Sequence, residues 1–426
     1  MQLILHINYI CPPFIAGMKI TIQKYILTAL TVVLVTQSSQ AQDADDQLER
    51  IGLNTITTAV PFLLITPDSR SGAMGDVGVA TTPDPISSYW NNSKAAFAEK
   101  DIGLAFSYVP WLRSIVPDIN LVYLSGYKKV SEKGALTAGM RYFSLGEINF
   151  TDESGNAIQT VEPKEFAFDM GYAHKLSEKF SGGFNLRYVN SNLTGGVSVG
   201  SVESKPARAI AADINGYYQS DLTLGDYDAQ YTFGFNIQNI GNRVSYSESA
   251  ELDFIPINLK LGNGLKLNFD EFNELGIYVD INKLLVPTPP VFLKDTAGNL
   301  IFDANGDPEI DKGKNPDVAV GTGMIQSFYD SPGGFSEEFQ EINWSVGFEY
   351  WYDQQFALRL GYFYENPNKG NRQYLTMGIG IKYQIFNLDF SYLVPVDQRN
   401  PLENTLRFTL AFDLVSAKEK KAGKKN

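Results

Sequence analysis

The sequence predicts an all-β protein, a transmembrane antiparallel β-barrel of about 14 strands with an N-terminal hatch or plug segment. Three observations predict it. Apolar side chains recur at every second position in segment after segment, which gives each strand one greasy face. The connections between those segments alternate between long and short. Beyond the N-terminal leader, no apolar run reaches the length a membrane helix needs, about 20 residues.

The alternation is clearest near the C-terminus, where Leu406, Phe408, Leu410, Phe412 and Leu414 alternate with Arg407, Thr409, Ala411 and Asp413. Leu375, Met377, Ile379, Ile381 and Tyr383 do the same, as do Phe356, Leu358, Leu360, Tyr362 and Tyr364. Strands are expected near 102–109, 119–129, 133–144, 164–175, 179–190, 205–220, 230–237, 255–268, 272–282, 341–352, 355–364, 373–384, 385–395 and 404–414.

A soluble sandwich could alternate too, so the loops decide. Short connections include Val130–Glu132, Ser177-Glu178, Asp353-Gln354 and a tight turn near Gln384. Long ones include Leu145–Pro163, Ser191–Ser204, Gln238–Phe254 and Lys283–Gln340; Asp221–Gln230 is longer than its class predicts. Outer-membrane barrels sort their loops this way, with tight periplasmic turns and long outer loops. The expected location is therefore the outer membrane, with both termini periplasmic and lipid or lipopolysaccharide around the strands. Tyr108, Trp111, Tyr350, Trp351, Tyr352, Tyr383 and Tyr392 are placed to form aromatic girdles.

Ahead of the barrel, Lys19 and Lys24, the apolar run Tyr25–Val35 and Ser39-Gln40-Ala41 read as a secretory signal peptide over 18–41. The run is too short for a transmembrane anchor. Residues 1–17 form an extension upstream of a start at Met18 and contain the only cysteine, Cys11. Residues 42–101 become a periplasmic or hatch segment, 102–414 the barrel and 415–426 a basic periplasmic tail with Lys418, Lys420, Lys421, Lys424 and Lys425. A net charge of −13 excludes nucleic acid as a partner.

The non-greasy faces carry Arg141, Arg187, Lys260, Arg359, Lys382 and Arg407 against Asp169, Asp213, Asp280, Glu349, Asp389 and Asp413. An ion-selective pore lines itself with one sign. This balanced set suits a packed or plugged lumen better than an open conduit. The glycine-rich stretch Arg70–Ala80 and Ser88–Ala96 could fold inside as that plug, or serve as a periplasmic tether.

Gly72-Ala73-Met74-Gly75-Asp76-Val77-Gly78-Val79-Ala80 followed by Tyr89-Trp90-Asn91 resembles the hatch of barrels related to long-chain fatty-acid transporters. Those carry Asn-Pro-Ala after the tryptophan; here Asn91-Asn92-Ser93 stands instead. A wider resemblance runs through Gln326-Ser327-Phe328, Ser331–Glu338, Glu349–Tyr352, Gly361–Glu365, Lys369–Tyr374, Ser391–Pro395 and Leu402–Phe408. By these strings the chain is similar to the PorV family of the Bacteroidetes type IX secretion system. The resemblance implies a 14-stranded barrel that binds secreted cargo proteins through their type IX C-terminal domains. It also implies two further partners, the large outer-membrane translocon and a sortase-like attachment complex, and no cofactor.

If cargo is held outside, the outer loops hold it. Trp111, Leu112 and Ile115 lie in a loop between Pro110 and Pro117, and Phe328, Phe335 and Phe339 close the 283–340 loop. These six are the candidate partner-binding residues; the other reading is that the aromatics only pack the loop on the rim. Asp303, Asn305, Asp307 and Asp311 space oxygens as calcium loops do, but Pro308 intrudes and a solvated acidic turn is the expectation. An enzyme is not expected: His174 sits at a strand end, and no G-x-S-x-G accompanies it. Shuttle, hatch-gated transporter of hydrophobic molecules and hydrolase remain as rival classes, the last the weakest.

Overall fold

The computed structural model describes residues 54–414 apart from 114–115, 117, 152–156, 194–203, 249–250, 297, 397–400 and 404. The expected signal peptide, the upstream extension, the basic tail and Ile115 lie outside the described residues. A closed barrel of 14 antiparallel strands forms the body. Its strands are β1 (Ile102–Pro110), β2 (Asn120–Lys129), β3 (Gly134–Ser144), β6 (Lys164–Lys175), β7 (Phe180–Asn192), β8 (Ala207–Leu224) and β9 (Tyr227–Gly241). They continue as β10 (Asn258–Asn268), β11 (Asn273–Leu284), β14 (Asn343–Tyr352), β15 (Phe356–Tyr364), β16 (Gln373–Tyr383), β17 (Phe386–Pro395) and β18 (Leu406–Leu414). Each strand pairs with its neighbour in sequence, and β1 pairs with β18 from Ile102↔Leu414 to Tyr108↔Phe408. Closure leaves no unpaired sheet edge, which a hydrocarbon environment demands.

Every predicted strand is present. The alternation that announced them is a solvation pattern: Leu375, Met377, Ile379, Ile381 and Tyr383 all face outward and exposed. Their neighbours turn inward. One boundary is corrected. The long Asp221–Gln230 connection does not exist, because β8 and β9 continue to Leu224 and Tyr227 around Gly225-Asp226. Gly225 takes φ +63, a conformation glycine adopts without strain. That turn now belongs to the short class, and all tight connections lie at one end, with Ile102 and Leu414.

The long connections at the other end carry two small hairpins, β4 (Ile148–Thr151) with β5 (Ala157–Val161) and β12 (Val291–Phe292) with β13 (Ile310–Lys312). Two short helices, Val320–Gln326 and Phe335–Gln340, complete the 285–342 connection. Within it the acidic turn is exposed. Asp303 Oδ1 accepts the Asn305 and Asp307 amides at 2.8 and 3.0 Å, so this carboxylate serves its own turn.

Two girdle assignments fail. Trp351 shares the parity of Glu349 and points inside, where the Arg359 guanidinium lies 5.4 Å from its ring centre. Trp111 packs inward against the apolar cluster at the long-loop end. Aromatic residues at strand ends serve the lumen when their pleat position is inward, and residue type alone does not report that position.

Candidate functional site: the sealed lumen and the long-loop rim

Residues 54–101 run through the inside of the barrel. Asn54 Nδ2 donates to Pro289 O and Glu337 Oε1 at the long-loop end, and the Asp101 carbonyl accepts the Lys129 amide at the short-turn end. Between them, short helices at Ser69–Gly72, Ser87–Trp90 and Asn92–Phe97 turn the chain across the lumen. The Asp68 side chain caps the first by accepting the Ser71 amide at 2.8 Å, and also accepts from Trp90 Nε1 at 2.8 Å.

Most of the plug's backbone has no regular ladder, so strands supply its partners. Thr409 of β18 accepts the Ser69 amide, Thr376 of β16 the Gly75 amide, and Asp280 of β11 both the Gly78 and Val79 amides. On the opposite wall, Thr232 and Asn236 of β9 donate to Ala80 O and Trp90 O, Asn185 of β7 to Ser88 O, and Arg141 of β3 to Leu63 O. Bonds therefore reach the plug from all round the barrel.

The interior charges are the rest of this seal. Arg70 of the plug donates twice to Glu349, at 2.9 and 2.8 Å, and pairs with Asp84 at 3.0 Å. Arg359 bridges Glu349 and Asp389, and Arg187 bridges Asp169 and Asp213. Ten of the twelve charges predicted for the lumen are buried there; Lys382 and Asp413, near the short-turn end, are half-exposed. Charges this deep are costly unless paired and hydrogen-bonded; Lys260 instead lies over the rings of Trp90 and Tyr89.

The hatch-like motif has a steric reason. Gly75 sits at φ +70 with its backbone against that of Tyr362, and Gly361 of β15 faces the Met74-Gly75 peptide. A Cβ on either glycine would overlap main chain, which cannot rotate away. The departure after Trp90 also has a role: Asn92 Nδ2 donates to Phe184 O at 2.8 Å and Asn185 Oδ1 at 2.7 Å. A proline there would offer neither bond.

Above the plug, a cavity of about 690 Å³ opens at the long-loop end. Ile56, Phe62, Ile65, Trp111, Leu112 and Leu393 are among its apolar walls. Leu112 takes φ +49, a left-handed conformation costly for leucine, and is held there against Phe363, Tyr374, Leu393 and Leu402.

A buried polar cluster fixes the loop at the mouth. Lys283 reaches Glu338 at 3.0 Å and Glu341 at 2.6 Å, and Lys369 reaches Glu337 at 2.5 Å and Glu341 at 3.0 Å. Burial pushes Glu341 up, but the Lys283 ammonium and its hydrogen bonds outweigh this and hold the carboxyl below its ordinary value. Asp330, also buried, is pushed up to about 6 by desolvation. The cluster leaves apolar groups on the outside of the loop: Phe335 is 78% exposed and Phe339 60%, their rings edge-on at 5.0 Å. Phe328, Tyr329 and Ile325 are exposed beside them in sequence.

The predicted binding residues thus fall into two groups. Trp111 and Leu112 line the cavity; Phe328, Phe335 and Phe339 stand on the outer face of the loop whose Glu341 lines the same cavity. Sequence reasoning missed the cavity wall supplied by Thr55–Thr66 and the clamp at Lys283, Lys369 and Glu337. Glu337 and Lys369 were visible only as parts of family strings. His174, at the end of β6, is bonded to Tyr172 OH at 3.1 Å through Nδ1.

Among curated proteins none matches the chain in sequence. Several solved outer-membrane barrels overlap it weakly. The CymD monoaromatic hydrocarbon channel is 13% identical, with 83% of this chain and 99% of that one covered at a TM-score of 0.45. The Ralstonia pickettii toluene transporter TbuX is 10% identical, covering 81% and 97% at 0.42. A Pseudomonas aeruginosa FadL homologue is 11% identical, covering 82% and 98% at 0.41. The family described as "Type IX secretion system protein PorV" matches residues 47–291, more than half of the sequence. With the closed barrel and the wide run of family strings beyond that match, the chain belongs to the PorV family of type IX secretion system proteins.

Proposed function

We propose that this outer-membrane barrel binds exported cargo proteins at its long-loop end, through the cargo's C-terminal signal domain. It carries them from the large translocon to the sortase-like attachment complex on the cell surface. The long loops then face outward and both termini of the barrel lie on the periplasmic side. No step of this role needs bond chemistry from the chain.

The observation that carries the reading is the contrast along the lumen: an open apolar cavity ends on a plug stitched to the whole wall. Hydrophobic mouths rimmed by exposed aromatics suit partner binding. A transporter of hydrophobic molecules needs an apolar path onward, and the cavity ends instead on Arg407, Asp76 and their paired neighbours.

Deletion of the protein is expected to strand type IX cargo in the periplasm or on the translocon; normal surface attachment in the deletion strain sinks the proposal. Trp111→Glu and Phe335→Glu are expected to weaken cargo pull-down while the barrel still assembles. Unchanged pull-down assigns those residues to packing alone.

A further inference from the structure

Below the open cavity lies a narrow recess of about 60 Å³. The two share Leu64, Asp76, Leu284, Asn343, Arg372 and Tyr374 as walls, and the recess also touches Trp90, Asn258, Lys260 and Asn282. Lys260 and Asn282 stand directly opposite in the β10–β11 register, and Asn258 lies two residues along β10. The pleat therefore aims these side chains into the lumen together.

Lys260 is only 6% exposed, yet it makes no hydrogen bond or ion pair among the described residues. Its ammonium lies over the rings of Trp90 and Tyr89, 4.5 and 5.3 Å from their centres. The side-chain oxygens of Asn258 and Asn282 have no hydrogen-bond partner, and no bond from either amide nitrogen is found among the described residues.

The nearby carboxylates are bonded elsewhere through one oxygen each, and Asp280 Oδ1 and Asp76 Oδ1 have no hydrogen-bond partner among the described residues. Asp280 accepts the Gly78 and Val79 amides, and Asp76 accepts the Tyr374 hydroxyl at 2.6 Å and faces Arg407 at 3.7 Å. Arg372 is held by Glu365 at 2.7 Å. Arg70, Arg187 and Arg359 each have a carboxylate within 3.0 Å. Lys94, the other buried lysine of the lumen without a carboxylate partner, donates to Gly78 O and Thr81 Oγ1, whereas no such bond from Lys260 is found among the described residues, and an unpaired buried charge is costly.

We infer that the recess takes a carboxylate at the end of an extended apolar chain, and that the occupant is the free C-terminus of a cargo polypeptide. The inference rests on the cargo-binding reading above. The Lys260 ammonium and the carboxamides of Asn258 and Asn282 line a space of carboxylate size beneath an apolar cavity, and charge-assisted bonds to carboxylate are the strong ones. Thr55, Thr57, Thr58 and Asn343 interrupt the apolar wall with groups that a peptide backbone can bond. A fatty acyl chain has nothing to offer them. The plug closes the floor, so the site admits a chain end and stops it.

The test uses the full-length protein in detergent and calorimetric titration with three probes: N-acetyl-trileucine with a free carboxylate, its C-terminal amide, and decanoate. The free acid is expected to bind at least about tenfold tighter than the amide. Lys260→Met is expected to abolish that preference, with native electrophoretic mobility before heating showing an intact barrel. Equal binding of acid and amide, no binding of either, or a preference that survives in Lys260→Met overturns the inference. Decanoate binding as tightly as the acid peptide overturns the peptide assignment. A parallel capture of intact cargo separates the two readings. Cargo captured equally well with its C-terminus extended by a tag overturns the inference and leaves the shuttle standing. Acid peptide bound with no cargo captured overturns the shuttle and the identity of the occupant, and leaves a carboxylate site.

Discussion

Halfway along the barrel, polar groups of the plug are bonded to strands on every side, whereas at the long-loop end large apolar side chains stand without cover. The first region spends its chemistry on closure: Arg70, Glu349 and Arg359 are buried and mutually satisfied. The second is held rigid by a similar device, with Lys283, Lys369, Glu338 and Glu341 beneath the loop, but turns Phe335 and Phe339 outward. Two ion-pair clusters of comparable make therefore serve different ends. One seals a passage, and the other presents a surface. A shut middle and an apolar mouth are what the proposed docking at the rim requires.

The largest effect should come from unseating the plug. Gly361→Leu places a side chain where the Met74-Gly75 peptide lies, and main chain cannot move aside without leaving its partners. The barrel strands, whose hydrogen bonds do not depend on the plug, are expected to close as before, with the lumen no longer filled. Planar-bilayer recording should then show stable conductance steps in the variant and none in the parent. A silent variant with unaltered plug protection against hydrogen exchange would show that the plug tolerates the clash.

A smaller break targets the charges. Glu349→Ala leaves Arg70 with Asp84, and Arg359 with Asp389, as the remaining carboxylate partners. Removing one partner of a buried ion pair costs about 3–5 kcal/mol. Exchange of amides in 68–98 should accelerate while the strand amides keep their protection, because the plug and not the sheet loses its anchor. Equal acceleration in both regions would mean that the two unfold as one unit.

The same contrast explains what could be read from the sequence. The strands were legible because lipid and lumen impose opposite polarities on alternate residues, so each strand carries its own record. The lumen charges were legible by the same parity. The ends of β8 and β9 were not, because Asp221–Leu224 and Tyr227–Ala229 run past the alternating segments and their exposure follows no period. Trp351 misled because an aromatic residue beside a strand end reads as a girdle until register shows which way it points. The plug's seat joins positions more than 200 residues apart, Gly78 to Asp280 and Ser69 to Thr409, and no local pattern encodes such pairs. The rim aromatics were visible as residues, but their exposure depends on the Lys283–Glu341 clamp, which only the fold assembles. Lys260 was visible as a charge; its lack of a partner was not.

The finest test of the rim is its pH dependence. Asp330 is 1% exposed, its Oδ2 accepts the Thr288 amide at 3.2 Å, and burial with help from Glu338 and Glu341 pushes its carboxyl up to about 6. A carboxyl with a folded value above its unfolded value of 3.8 binds protons more readily in the docked loop. Its contribution to docking is therefore greatest below about pH 4 and declines as pH rises to about 6, by at most about 3 kcal/mol. Glu341 runs the other way: its carboxyl is held low by Lys283, so its contribution is present above its ordinary value and is lost as acid protonates it. Between pH 4.5 and 6 the Asp330 decline should dominate. Hydrogen exchange across 320–341 should quicken with pH beyond its chemical rate in the parent, and Asp330→Asn should flatten that excess. A variant with the parent's full pH dependence would place the titrating group elsewhere in the clamp.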